Sequence, residues 1–178
     1  MNLQLSRTSD YAIRMMVLLA GQPADRPVSR ADMAEQQGIP LAYLEKILPP
    51  LSRAGLVTAR RGPRGGFLLA KPARQVTLLA VIEAVDGPVG LNLCVMAGGR
   101  CERSSRCTVH RVWRIAQRQL EALLDETTLA QLACELGGGD PDQAWYALAG
   151  GDATRRQPGL ECPEVAAEPA RVGPRQPR

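Results

Sequence analysis

Aromatic residues are scarce in this sequence. One Phe, two Trp and three Tyr make up 3% of its 178 residues, although 45% of the residues are hydrophobic. The core must therefore consist of Leu, Val, Ile, Ala and Met, which favours helices over a β-sandwich. We expect a mainly α-helical fold.

A secretory leader and a membrane-spanning run are also lacking. The first residues, MNLQLSRTSDYAIRMMVLLAGQ, have no basic start or cleavage site, and Arg14 interrupts their apolar run. We therefore expect a cytoplasmic protein with no membrane partner. In a reducing cytoplasm, clustered cysteines are better explained by a bound metal or cluster than by disulfides.

The segment SRADMAEQQGIPLAYLEKI has the pattern of two helices joined by a tight turn. Ser29 with Asp32 three residues later is typical of a helix start, and Gly38 is typical of a helix end. An earlier helix is expected over residues 9 to 21, with Ser9 as its N-cap. The apolar residues of the second helix fall on one stripe, namely Leu44, Ile47, Leu48 and Leu51.

Two consecutive prolines, Pro49 and Pro50, fall inside that second helix. Proline lacks a backbone N–H and clashes with the preceding turn, which costs about 3 kcal/mol in a regular helix. We expect the helix to kink or break there. Base contacts would then come mainly from its first turns, Ala42 to Lys46.

The next segment, GLVTARRGPRGGFLLA, predicts a β-hairpin with an arginine-rich tip. A helix-turn-helix followed by such a hairpin is a winged helix, in which one helix enters the major groove and the wing reaches the DNA backbone or minor groove. A net charge of +4 agrees with binding to double-stranded DNA. The alternative is a helical hairpin with a solvated turn. The predicted DNA-binding residues are Arg30, Ala42, Tyr43, Glu45, Lys46, Arg61, Arg64, Gly65 and Gly66.

The second half of the chain predicts three further helices. One begins near Thr77 and ends near Val85, a long one follows the cysteines, and a last one begins after Thr128 and packs back on the domain. The long helix carries an apolar stripe that so small a domain cannot cover, which indicates a dimerisation helix. We expect a DNA-binding domain over residues 1–74, cluster-binding and dimerisation elements over 75–137, and a disordered tail over 138–178.

Three cysteines and the single histidine lie close together in the stretch CVMAGGRCERSSRCTVH. Six residues separate Cys94 from Cys101, five separate Cys101 from Cys107, and two separate Cys107 from His110. Because Cys107 and His110 are three residues apart where the long helix begins, both side chains would lie on one face and could share a metal centre.

The spacing alone leaves the nature of that centre open. Zinc and an iron–sulfur cluster suit this ligand set equally, although the Cys-x-x-Cys pair that is usual in zinc sites is missing. The remaining alternative is that the thiols bind nothing. An electron carrier would have no use for a winged helix. An enzyme using Cys107 and His110 as nucleophile and base is disfavoured, because no substrate pocket or oxyanion donor is evident.

Four segments together resemble the Rrf2 family of bacterial winged-helix regulators: SDYAIRMMVLLA, GIPLAYLEKIL, RRGPRGGFLLA and CVMAGGRC followed by RCTVHRVW. The resemblance covers residues 1 to about 137. It implies a homodimeric transcriptional regulator, not an enzyme, that binds a pseudo-palindromic operator. It also implies that a redox-active iron–sulfur cluster controls the affinity for DNA.

The resemblance also implies the ligands. Cys94, Cys101 and Cys107 match the three cysteine ligands of the family. His110 matches the histidine of the IscR-like members, which hold a 2Fe-2S cluster, whereas Asp10 falls where nitric-oxide-sensing, NsrR-like members supply a carboxylate. We favour His110 and a 2Fe-2S cluster; a 4Fe-4S cluster and a zinc or thiol-redox repressor are the alternatives.

Overall fold

The computed structural model describes residues 5–96 and 101–135. It is mainly helical, as expected from the sequence, with one two-stranded antiparallel sheet. The predicted tail, residues 138–178, lies outside the described residues. Within the described part, no helix is both long enough and apolar enough to cross a bilayer.

The elements follow one another in the order of a winged helix with a helical extension. They are α1 (Arg7–Ala20), α2 (Arg30–Gln37), α3 (Leu41–Arg53), β1 (Val57–Arg60), β2 (Gly66–Leu69), a short 3-10 helix (Ala73–Gln75), α4 (Leu78–Asp86), α5 (Thr108–Glu126) and α6 (Leu129–Glu135).

The first helix begins earlier than its sequence suggested. Ser6, not Ser9, is the N-cap of α1, and its hydroxyl accepts a hydrogen bond from the Ser9 backbone N–H over 3.0 Å. The Ser9 side chain is fully buried and donates to Asp86 Oδ2 at 2.6 Å. The expected cap was therefore wrong: α1 already begins at Arg7, so Ser9 lies inside its first turn, where its hydroxyl binds the end of α4 together with that of Ser6.

The helix-turn-helix agrees closely with its sequence pattern. Ser29 caps α2 by accepting from the Asp32 N–H, and Gly38 ends that helix with a positive φ of 60°, which glycine adopts without strain. The stripe of α3 is fully buried apart from Leu48, which is 3% exposed. It packs against Met15 and Met16 of α1 in the main core.

The two prolines do not end α3, which continues to Arg53. In a helix, Pro49 and Pro50 deprive the carbonyls of Glu45 and Lys46 of their donors. Both of those residues are exposed, so water can bind the two carbonyls. The expected break does not occur because the buried stripe on the opposite side of α3 holds the helix in place.

The two strands of the wing pair with each other, and β2 also pairs with the segment that leads into α2. Val57 pairs with Leu69 and Arg60 pairs with Gly66. On the outer side of β2, Phe67 exchanges two backbone hydrogen bonds with Val28, at 2.9 and 3.0 Å, in the segment that leads into α2. The hairpin is therefore fixed to the helix-turn-helix and moves with it.

The C-terminal helices close over the same core. Thr77 caps α4, as expected. A short bridge between Thr77 and Thr128 joins the start of α4 to the start of α6. Leu129 of α6 is fully buried in the main core. The expectation that the last helix packs back on the domain is confirmed.

Candidate functional site

The first turns of α3 present the predicted base-reading residues. Ala42, Glu45 and Lys46 are exposed, and Tyr43 is half-buried. Their exposure follows from the burial of Leu44, Ile47 and the rest of the stripe on the opposite side of the helix. The arrangement leaves this end of α3 accessible to a DNA groove.

Tyr43 packs against α1. Its ring meets the Tyr11 ring edge to face, and the Lys46 ammonium lies 5.7 Å from the centre of the Tyr43 ring. A cation over an aromatic face is favoured by the ring quadrupole. Tyr43 therefore supports the α3 surface as well as contributing to it.

Arg30 and Arg60 link the helices to the wing. The exposed Arg30, at the start of α2, lies with its guanidinium carbon 5.4 Å from the centre of the Phe67 ring. Arg60 donates from Nη1 to the carbonyl oxygen of Asp25 at 2.8 Å. These two arginines contact the protein itself, which the sequence did not indicate.

Arg61 and Arg64 at the wing tip are exposed. They line a groove of about 890 Å³ between the wing and the loop that follows α1. Arginine forms bidentate hydrogen bonds with phosphate and fits the negative potential of a narrow minor groove. The full lining of the groove is Pro23, Asp25, Arg26, Pro27, Arg60, Arg61, Gly62, Pro63 and Arg64.

Gly65 and Gly66 are required by the fold of the wing. A Cβ atom at Gly65 would lie 2.4 Å from the Arg60 carbonyl oxygen, and one at Gly66 would lie 2.4 Å from the Val28 carbonyl oxygen. Any larger residue would push the hairpin away from its neighbours. This internal packing accounts for both glycines, and their approach to DNA remains a prediction.

The three clustered cysteines are free thiols on two segments. Cys94 and Cys101 are half-buried and Cys107 is exposed. Cys107 is the N-cap of α5, one residue before the helix begins, and its carbonyl accepts from the His110 N–H over 3.2 Å. The predicted ligand pair, Cys107 and His110, therefore lies at the N-terminal end of α5.

His110 has an unusual environment for a surface histidine. Its Nδ1 is buried and, within the part of the chain that the structure describes, has no hydrogen-bond partner. Cys107 and His110 line one groove of about 540 Å³. The other residues along this groove are Ser104, Ser105, Arg111, Arg114, Ile115 and Arg118.

The donor chemistry fits an iron–sulfur cluster. Thiolates and an imidazole nitrogen without a partner are suitable ligands, and the arginines of the groove favour an anionic centre. In residues 5–96 and 101–135, however, no three Cys, His, Asp or Glu side chains are grouped closely enough to hold one ion. Residues 97–100, between Cys94 and Cys101, lie outside the described ranges.

Asp10, the alternative fourth ligand, lies in the first turn of α1. Its side chain is 60% exposed, and the nearest cation, Arg14 Nη1, is 3.8 Å from its Oδ2. The Arg14 guanidinium also donates to the carbonyl oxygen of Gln37. Asp10 is thus a solvated carboxylate rather than part of the Cys94–His110 region.

The apolar side chains of α5 divide into two sets. Trp113, Ala116, Leu120 and Leu124, which belong to the predicted stripe, are half-buried, and the others face solvent. Val109, Val112, Ile115 and Leu123 are 52%, 61%, 49% and 37% exposed. Gln117, by contrast, is 4% exposed. The sequence pattern was not used to single out this glutamine. It could have been, because Gln117 is a polar residue on the apolar face of the helix, four positions after Trp113 and three before Leu120.

A family profile described as "Rrf2: Iron-dependent Transcriptional regulator" matches residues 5–135 of this chain. Among curated proteins, the HTH-type transcriptional regulator IscR of Yersinia pestis is 39% identical over 130 residues, which is 73% of this chain and 79% of the relative. The IscR of Serratia proteamaculans is 38% identical over the same shares.

Solved structures agree with the fold. The T. potens IscR has a TM-score of 0.62 and 28% identity, covering 80% of this chain and 92% of that one. CymR, the global cysteine regulator of B. subtilis, also has a TM-score of 0.62, with 29% identity over 74% of this chain and 97% of that one.

Proposed function

This chain belongs to the Rrf2 family of DNA-binding transcriptional regulators, and from that premise we propose that it is a homodimer whose operator affinity is controlled by an iron–sulfur cluster. Its relatives are regulators and not enzymes, in agreement with the sequence. Because its target would be chromosomal DNA, we place it in the cytoplasm.

The proposed DNA contacts use both parts of the winged helix. Ala42, Tyr43, Glu45 and Lys46 enter the major groove of a half-site, and Arg61 and Arg64 bind phosphates or the minor groove beside it. Two such heads, related by a two-fold axis, fit a pseudo-palindromic operator. Gly65 and Gly66 let the wing backbone approach the duplex, and Arg30 lies at the edge of this surface.

The proposed dimer interface is the exposed stripe of α5. Val112, for example, is 61% exposed. Apolar side chains that repeat along one helix are usually buried. We assign residues 1–74 to DNA binding and residues 75–137 to the cluster and the dimer. The tail, 138–178, has no role in this proposal.

The observation that carries the cluster proposal is the ligand set around the start of α5. Cys94, Cys101 and Cys107 are free thiols, and the buried Nδ1 of His110 has no partner among the described residues. A 2Fe-2S cluster bound there would supply a redox-active, negatively charged centre, with a potential raised by its imidazole ligand. The family description, iron-dependent, agrees with this assignment.

The chain's own residues would transmit the state of the site. If the three cysteines and His110 held a cluster, the segment before Cys94 and the start of α5 would be fixed together. Without the cluster, both segments would be free to shift at the proposed dimer interface, which would change the spacing of the two α3 helices and with it the operator affinity.

The test is purification without oxygen, followed by iron and sulfide analysis, a visible spectrum and a gel-shift titration with the protein before and after iron removal. We expect coloured protein with equal iron and sulfide and an operator affinity that changes when the iron is removed. Zinc in place of iron would instead support a zinc-stabilised repressor. Colourless, metal-free protein with unchanged affinity would support a thiol-redox repressor.

The nitric-oxide-sensing, NsrR-like alternative depends on Asp10. Among the residues that the structure describes, its exposed carboxylate has an ion pair only with Arg14, so it is accessible to a partner subunit. Four irons per subunit, lost when Asp10 is replaced, would favour that alternative and a 4Fe-4S cluster. Two irons per subunit that survive this replacement would favour the 2Fe-2S assignment.

A further inference from the structure

Gln117 is a polar side chain buried on α5 at 4% exposure, and neither the DNA interface nor the four proposed ligands accounts for it. A buried amide must have partners for its oxygen and for both of its N–H groups, or its desolvation destabilises the fold. The identity of those partners indicates what Gln117 does.

The partners lie in the segment that leads to Cys94. Gln117 Oε1 accepts from the Leu91 backbone N–H at 2.8 Å, and Nε2 donates to the Val89 carbonyl at 2.7 Å and to Glu121 Oε1 at 2.7 Å. The backbone N–H needs an acceptor and the carbonyl needs a donor, and the two ends of one amide side chain satisfy both. Gln117 therefore binds the chain on either side of Gly90.

The segment around these bonds is folded on itself. A Cβ atom at Gly90 would lie 2.1 Å from Met96 Cγ, so the Met96 side chain covers this glycine. The N–H groups of Val95 and Met96 both donate to the Asn92 carbonyl, at 3.0 and 3.2 Å. Cys94 lies inside this turn. Its position relative to α5 consequently depends on where Gln117 holds the turn.

Gln117 also has the right place on α5 for this purpose. It follows His110 by seven residues, which puts both on one face about 10 Å apart along the axis. Only three residues lead from Leu91 to Cys94, so Cys94 cannot lie more than about 10 Å from Leu91, which Gln117 holds. The turn over residues 92–96 makes the real span shorter. Cys94 is therefore confined to the neighbourhood of Gln117 on α5.

We infer that Gln117 is a positioning residue for the cluster site: it fixes the Cys94 segment on α5, at a set distance from Cys107 and His110. This inference rests on the proposed function, because the position of Cys94 matters for the site only if Cys94 is a cluster ligand. The bonds of Gln117 to residues 89 and 91 can be tested with or without a cluster.

The experiment compares full-length variants prepared without oxygen. Gln117→Leu keeps the volume and the helix propensity but loses every hydrogen bond of the amide. Gln117→Glu keeps an acceptor for Leu91 but turns a carboxylate toward the Val89 carbonyl and Glu121. Gln119→Leu, at an exposed position of the same helix, is the matched control. Far-ultraviolet circular dichroism checks that each variant is folded.

Two quantities are measured. The first is hydrogen exchange of the Leu91 amide, in iron-loaded protein and after iron removal. The second is the rate of iron release to a chelator, followed by the visible spectrum. Gln117→Leu should accelerate both, the iron release by about 10- to 100-fold, as for other residues that orient metal ligands. Gln119→Leu should match the unaltered protein in both measurements.

A paired exchange separates positioning from general damage. In Gln117→Glu/Glu121→Gln, the new amide at 121 can donate to the new carboxylate at 117, which still accepts from Leu91. This double variant should release iron more slowly than Gln117→Glu alone. Equal or faster release would contradict the inference.

The failure of each proposal has its own signature. Unaltered protein that contains no iron or sulfide would contradict the proposed function and, with it, the purpose assigned to Gln117. The other outcome is that the unaltered protein contains iron, but Gln117→Leu exchanges the Leu91 amide hydrogen and releases iron at the normal rates. That outcome would overturn the present inference and leave the cluster assignment intact.

Discussion

The Tyr11 ring of α1 meets the Tyr43 ring of α3 edge to face, with 4.8 Å between ring centres and an angle of 75° between planes. The Lys46 ammonium also lies over the Tyr43 ring. The proposed base-reading surface of α3 is thus supported by Tyr11, a residue on another helix that has no predicted contact with DNA.

We predict that Tyr11→Leu lowers the free energy of unfolding by about 1 kcal/mol, the size of an edge-to-face aromatic contact beyond its buried area. Operator binding should weaken too, because the Tyr43 side chain loses its support. Chemical denaturation and a gel-shift titration measure the two effects.

Lys46→Ala is the companion variant. Lys46 is exposed, so stability should change by less than about 0.5 kcal/mol while binding weakens. If Tyr11→Leu left operator affinity unchanged, the Tyr11 contact would matter for stability alone.

The wing arginines should contribute to binding through phosphate contacts. Arg61→Ala and Arg64→Ala should each weaken binding to operator and unrelated DNA alike, and each should reduce the slope of log affinity against log salt by about 1. The measurement is a gel shift at several salt concentrations.

Arg74→Ala, an exposed arginine of the 3-10 helix, is the control and should keep the full salt slope. A full slope in Arg61→Ala or Arg64→Ala would remove that arginine from the proposed interface. Charge reversal at Arg61 should weaken binding further than the neutral replacement.

The stripe of α5 predicts that Val112→Glu yields monomers. Two glutamates would face each other across a two-fold interface that is otherwise apolar, and burying unpaired charge is costly. Sedimentation velocity measures the mass. Gln75→Glu, which adds the same charge at an exposed site away from α5, should remain a dimer. Dimeric Val112→Glu protein would place the interface elsewhere.

The winged-helix part of the fold was predictable because its signals are local. Ser29, Gly38 and Thr77 act as the sequence indicated, since each makes its contacts within a few residues. The arginine-tipped hairpin was predictable for the same reason. Its attachment to Val28 was not, because that pairing joins segments far apart in the chain.

The errors also have physical causes. The sequence pattern favoured Ser9 as the cap of α1, but Ser6 is the cap, and the hydroxyls of both serines donate to Asp86 at the end of α4, at 2.5 and 2.6 Å. That contact joins segments far apart in the chain, so it has no local signal. Gln117 was missed because its partners are backbone groups of a distant segment. The ligand set was predicted from residue types, their spacing and the resemblance to the family, and it stays a prediction.

The fourth ligand can be identified by paired replacements. We expect His110→Ala to lose the cluster or shift its visible spectrum and potential, because the imidazole ligand is gone. Asp10→Ala should leave the iron content and the spectrum as they are, because Asp10 is solvated. Iron analysis, absorption and redox titration measure the difference. The reverse pattern, with loss of iron only in Asp10→Ala, would assign the ligand to Asp10.

The prolines of α3 give a prediction about stability. Pro49 is exposed, so Pro49→Ala removes no core packing and restores an N–H donor for the Glu45 carbonyl. The variant should unfold at a higher temperature, with a gain of about 1 to 3 kcal/mol from the restored bond and the better helix propensity, reduced by the greater freedom of the unfolded chain. Calorimetry measures the gain, and Pro63→Ala in the wing, outside any helix, should bring none. A lower melting temperature for Pro49→Ala would mean that the rigidity of the proline outweighs the missing donor, and that the sequence of α3 is optimised for a stiff helix rather than a regular one.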